Sequence, residues 1–146
     1  MGTRPTDADL DAIRDIIERS TLREIEHHEL GARWTGPRGP EPEDPELEVQ
    51  LQHRLDDSAF GIRMVGTVGL GFGQAEATVA AVYDYEGDQP EMRALLAFAN
   101  EVAVMTLFPY FREAIGTITS KVFGEPLLVP VLNRGEIGFD LDALPE

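Results

Sequence analysis

From Leu47 to Leu55 apolar and polar residues alternate without a slip: Leu47, Val49, Leu51, His53 and Leu55 hold one parity, Glu48, Gln50, Gln52 and Arg54 the other. Strand side chains point to opposite faces with period two, so this stretch buries one face and wets the other as a β-strand. The pattern resumes after Asp56-Asp57-Ser58, where Phe60, Ile62, Met64, Val68, Leu70 and Phe72 alternate through residues 59–72. A hairpin turn near Gly73-Gln74 is expected to lead into a further strand over 75–85, carrying Ala77, Val79, Ala81, Tyr83 and Tyr85.

Helices flank this sheet. Thr6-x-x-Asp9 resembles a capping box, and Leu10, Ile13, Ile16 and Ile17 follow at helical spacing, predicting a short amphipathic helix over 7–19. Residues 20–34 lose phase and then alternate at Leu30, Ala32 and Trp34, which predicts a strand with a bulge. Residues 35–46 hold four Pro and two Gly, too many for a ladder strand, and read as an exposed crossover. Asp88-x-x-Glu91 with Pro90 predicts a helix start, with Met92, Leu95, Leu96, Ala99 and Val102 on the apolar face. Pro109 is expected to kink or restart the helix and to push Phe108 out of helical geometry. A long amphipathic helix then runs through Tyr110, Phe111, Ala114, Ile115, Ile118 and Val122, followed by an apolar extended tail from Pro126 to Leu132 and an irregular segment over 133–146. The order predicts an α+β fold in one domain over 1–146: a four-stranded antiparallel sheet, a long amphipathic helix packed by or across it, and a short N-terminal helix.

Charge and motifs narrow the function. The 146 residues hold 12 Lys and Arg against 27 Asp and Glu, a net charge of −15. Phosphate backbones are bound by clustered Lys and Arg, so nucleic acid is not an expected partner, and an anionic membrane is disfavoured alike. There is no Cys, which excludes a disulfide framework and thiolate chemistry. The first twenty residues are charged throughout, with no secretory h-region, and a cytoplasmic location is expected. Gly69-Leu70-Gly71-Phe72-Gly73 has Gln74 where a dinucleotide fingerprint needs Gly, and strand rather than helix beyond it. His27 and His28 point to opposite faces of a regular strand and cannot share a metal there, while His53 falls on the buried parity and reads as a core histidine. Asp56-Asp57 and Asp140-x-Asp142 sit beside turns in an acid-rich chain and make poor general acids and bases. The expectation is a protein that is not an enzyme, without metal or cofactor. Hydrophobic surface remains, and contiguous apolar surface marks binding.

Residues 106–132 carry a resemblance to a known family. Leu107-Phe108-Pro109-Tyr110-x-Arg112-Glu113, followed by Pro126-Leu127-Leu128 and Pro130-Val131, is similar to the SecB family of bacterial export chaperones. The preceding order of strand, Pro-rich crossover, three strands and helices also matches, so the resemblance covers about residues 20–132. It implies a homotetramer, a dimer of dimers, that holds unfolded preproteins without ATP. Trp34, Phe60, Phe72, Tyr83, Tyr85, Leu107 and Phe108 are then the expected client-binding residues, at the lips of a sheet-backed channel. Tyr110, Phe111, Ile115, Ile118 and Val122 are the expected oligomer interface. Glu29 fits an acidic position for docking the motor SecA, but Arg33 and Gln74 stand where acids are expected. The final helix of the export chaperones is expected to be missing, its place taken by residues 133–139. The added 7–19 helix instead resembles SecB-like chaperones that accompany toxin–antitoxin pairs, which implies an antitoxin-type client. The alternatives are general export through SecA, or a module that binds one folded partner or a small ligand.

Overall fold

The computed structural model describes residues 4–41, 44–130 and 136–143. Helix α1 (Asp7–Arg19) begins at the capping box. The Thr6 hydroxyl accepts from the Asp9 amide at 3.1 Å, and the Asp9 carboxylate accepts from the Thr6 amide at 2.9 Å, so Asp serves where Glu is usual. Of the expected apolar face, Ile13 and Ile16 are buried whereas Leu10 and Ile17 are exposed. Strand β1 (Ser20–Trp34) follows directly. Its pairing shifts twice, between Leu22 and Glu24 and between His27 and Glu29, which accounts for the broken phase in the sequence.

Strands β2 (Glu46–Leu55), β3 (Ala59–Leu70) and β4 (Gly73–Tyr85) complete one antiparallel sheet in the order β1-β4-β3-β2. The Pro-rich crossover therefore carries the chain from one sheet edge to the other; its residues 42–43 lie outside those described. Leu70 pairs with Gly73, so the hairpin turns at Gly71-Phe72, two positions before the expected place, and Phe72 sits in the turn rather than on the strand. His53 is exposed rather than buried. It lies on edge strand β2, whose inward Leu47, Val49 and Leu51 are themselves only half-buried, and its ring meets Phe139 edge-on at 5.5 Å.

Helix α2 (Met92–Phe98), a π-helical turn (Ala99–Ala103) and helix α3 (Val104–Phe123) run on without a break. The N-cap is Glu91 with no side-chain cap bond, so the Asp88-x-x-Glu91 signal does not close a cap. Pro109 does not break the helix either: Phe108 is helical and 4% exposed. Proline removes one amide donor and costs roughly 3 kcal/mol inside a helix. Burial of Leu107, Phe108 and Phe111 contributes about 1.5–3 kcal/mol each, and only a continuous helix sets all three on the sheet. The departure from α geometry falls upstream instead, in the π-helical turn. By length and composition Met92–Phe123 could cross a membrane, but most of its apolar stretch is buried inside the chain.

Two glycines seat α3 on the sheet. A Cβ on Gly66 of β3 would lie 2.2 Å from the Phe111 ring, and one on Gly73 of β4 would lie 2.5 Å from the Phe123 ring. Phe111 and Phe123 are about 18 Å apart along the helix, so these sockets fix both its height and its direction. From Gly73 to the level of Gly66, β4 presents Ala75 and Ala77, small buried side chains that admit a close helix.

Beyond α3 the chain turns at Gly124, whose φ of 84° suits glycine. It returns along the helix it has just left. Thr119 Oγ1 accepts from the Leu127 amide, Arg112 donates to the Val129 carbonyl, Asn100 bonds Phe139, and Arg93 donates to the Leu141 carbonyl. Helix numbers fall as tail numbers rise, so the tail runs antiparallel to the helix. Val131, Leu132 and residues 133–135 of the expected tail lie outside those described. Among the described residues after α3, helical structure is limited to a 3-10 turn at Leu141–Ala143.

Candidate client-binding surface

The structure divides the aromatic residues singled out in the sequence into two groups. Phe60, Tyr83, Tyr85, Leu107 and Phe108 lie in the core of the single chain, none more than 7% exposed. Phe60 stacks on Tyr83 with centroids 4.9 Å apart, and Phe98 meets both rings edge-on at 5.5 and 5.2 Å. The Tyr85 hydroxyl donates to the Asp56 carbonyl at 2.6 Å, so that ring closes the β2–β3 turn.

Trp34 and Phe72 form the second group, at the surface. Trp34 is 48% exposed and packs against Phe72 at 5.4 Å and Phe123 at 5.1 Å. The three rings are brought together because Trp34 ends β1, Phe72 occupies the β3–β4 turn and Phe123 ends α3. Backbone bonds hold the crossover there: the Thr35 and Gly36 amides both donate to the Phe72 carbonyl. The Trp34 indole N–H donates to the Val122 carbonyl at 3.0 Å, answering one of the free acceptors of the helix end.

Arg38 joins this surface without having stood out in the sequence. Its guanidinium lies 4.6 Å from the Phe72 ring centre and 5.5 Å from that of Trp34, and it donates to the Phe123 carbonyl at 2.9 Å. A cation over ring faces and beside a helix C-terminus is favoured twice. Its sequence signal is no more than a lone Arg four residues after the Trp, in a segment otherwise rich in Pro and acids. The cluster is a half-exposed aromatic lip with one positive group on top.

The expected interface residues also separate. Phe111 and Ile115 are fully buried against their own sheet, Ile118 and Val122 are half-buried, and Tyr110 is 44% exposed. On the outer side of α3, Pro109, Arg112, Gly116 and Ser120 face Leu127 and Leu128 of the returning tail across a groove of about 700 Å³. Leu128 is 78% exposed there.

Glu29 is exposed on β1 opposite Thr78. Arg33 and Gln74 face one another across β1 and β4, joined by a 3.1 Å bond from the guanidinium to the amide oxygen. That pair is a cation and a neutral acceptor, at the two positions where the resemblance led to an expectation of acids. Among the described residues no three His, Cys, Asp or Glu converge as metal ligands.

Comparison with known proteins agrees with this architecture. The chain is 26% identical over 126 residues to the SecB-like chaperone SmegB of Mycolicibacterium smegmatis, an alignment that spans 86% of this chain and 84% of that protein. Its fold matches that of the Mycobacterium tuberculosis Rv1957 SecB-like chaperone, solved in complex with a ChAD peptide from the Rv1956 HigA1 antitoxin. The TM-score is 0.76 at 24% identity, over 85% of this chain and 98% of that one. No family model matches. In sheet order and crossover, and over most of its length in both sequence and fold, the chain is similar to the SecB-like chaperones.

Proposed function

We propose that this SecB-like protein is an ATP-independent holdase that keeps an antitoxin-type client unfolded and soluble. The observation that carries this reading is the lip of Trp34, Phe72 and Arg38 over the buried Phe123, an aromatic cluster left half-open at the surface. Burying one client Leu or Phe contributes about 1.5–3 kcal/mol, so one lip binds weakly and several copies on one oligomer bind well. Capture of the unfolded form alone shifts the client's folding equilibrium by mass action. A net charge of −15 keeps such a surface soluble and biases it toward basic, aromatic-rich clients.

Homotetramer assembly fits two features. Strand β1 is a 15-residue sheet edge, a row of main-chain groups that proteins seldom leave open, and the outer face of α3 with Tyr110 and Leu128 offers apolar contact. A cytoplasmic location goes with this reading. An antitoxin-type client is favoured over preprotein delivery because the solved neighbour holds an antitoxin peptide, and because Arg33 and Gln74 weaken an acidic docking face around Glu29. Affinity purification from the source cell followed by mass spectrometry separates the two. One short antitoxin-like protein is the expected catch; many secretory precursors together with SecA would defeat the antitoxin assignment.

A further inference from the structure

The tail segment 137–141 is held as a bound peptide would be. Asn100 is 4% exposed, in the π-helical turn, yet among the described residues its side-chain amide bonds Phe139 and not its own helix. It donates to the Phe139 carbonyl at 2.9 Å and accepts from the Phe139 amide at 2.6 Å, pairing both main-chain groups of one residue as a neighbouring strand would. Gly138 permits the approach, since a Cβ there would lie 2.7 Å from Asn100 Oδ1. One helical heptad away and on the same side, Arg93 donates to the Leu141 carbonyl at 3.2 Å. The inward side chains are Ile137, Phe139 and Leu141, every second residue. Phe139 meets the exposed His53 ring at the edge of β2, and Leu141 is 2% exposed.

A buried amide that reads main chain, with pockets for alternate apolar side chains, is how extended peptides are recognised. Nothing in the main-chain bonds is specific to this tail. π-Helical turns, moreover, are rare and concentrate at functional sites.

We propose that the seat formed by Asn100, Arg93 and His53 is a binding site for an extended client segment with apolar residues at alternate positions, and that Ile137-Gly138-Phe139-Asp140-Leu141 is its built-in competitor. The inference rests on the holdase reading above. Chains in which the tail holds the seat are closed to a client, so its apparent affinity is reduced by the fraction of chains in that state. Loosening the tail raises affinity; damaging the seat lowers it.

The test measures binding of the full-length protein to fluorescently labelled, reduced and carboxymethylated lactalbumin, which stays unfolded. Phe139→Ala, and independently Gly138→Ala, which keeps the ring but crowds Asn100, are expected to tighten binding about threefold or more. Adding Asn100→Ala to Phe139→Ala is expected to reverse that gain. In the wild type, exchange of the Phe139 amide hydrogen is expected to speed up when client saturates the protein. If the wild type binds the probe but both tail variants bind it equally well or more weakly, and Phe139 exchange is unchanged, the seat is structural and the inference is wrong. If neither the wild type nor either tail variant binds the probe, the holdase reading falls and the inference with it.

Discussion

The Phe111 ring occupies the space that a side chain on Gly66 would fill, with its nearest atom 2.2 Å from where a Cβ would stand. Helix α3 meets the sheet through that contact, and the ring is fully buried. Gly66→Ala is expected to destabilise the fold by about 1–3 kcal/mol through overpacking, read as a lower urea midpoint at unchanged slope. A midpoint equal to that of the wild type would mean that α3 sits higher on the sheet.

Trp34 supports the aromatic lip while remaining 48% exposed. Trp34→Ala is expected to weaken client binding by about 1 kcal/mol or more, measured per folded molecule by titration. A large stability loss with unchanged affinity would return Trp34 to a purely structural part.

Asp9 joins the N-terminal helix to α2 through a two-pronged pair with Arg93, at 3.0 Å for each bond. The Arg93 hydrogen bonds hold the Asp9 carboxyl below its ordinary range, against the opposing effect of burial. Its pKa is depressed in the folded state, so its contribution to stability is full above the unfolded value of about 3.9 and is lost as pH falls through the folded value. The wild type is therefore expected to lose stability on acidification below about pH 4 more steeply than Asp9→Asn. Parallel curves in urea unfolding across that range would count against the pair.

Pro109 lies exposed within α3 and leaves the Met105 carbonyl without its usual donor. Pro109→Ala is expected to raise stability by up to the roughly 3 kcal/mol that proline costs inside a helix, read as a higher melting temperature. A fall would show that the proline shapes the helix path needed for packing.

Much of the sheet is legible in the sequence because its signals are local. Period-two alternation marks β2, β3 and β4, Thr6 with Asp9 marks the start of α1, and the phase loss before Leu30 marks the irregular β1. Sequence and structure part where tertiary packing overrides a local rule. Pro109 signals a break, but the burial of Leu107, Phe108 and Phe111 together outweighs the cost of a proline inside the helix. His53 keeps the inward parity, but its strand is at the edge, and parity says nothing of how deeply a face is covered. Phe72 leaves the strand because Gly73 is needed in β4 beneath Phe123. The aromatic lip is half legible: Trp34 and Phe72 stand out as large side chains beside Gly and Pro, whereas Phe123 and Arg38 join them through tertiary contacts, with Arg38 tied to Phe123 and Trp34 to Val122 across more than 80 residues of chain. Asn100 carries no signal, since a lone Asn in a helical pattern reads as a solvated position.

Whether the chain holds unfolded polypeptide without ATP is tested most directly by light scattering. A thermally unfolding model protein is followed with and without a several-fold excess of this protein, with no nucleotide present. Strong suppression of aggregation is the predicted result, and scattering that rises unchanged in its presence would contradict the holdase function.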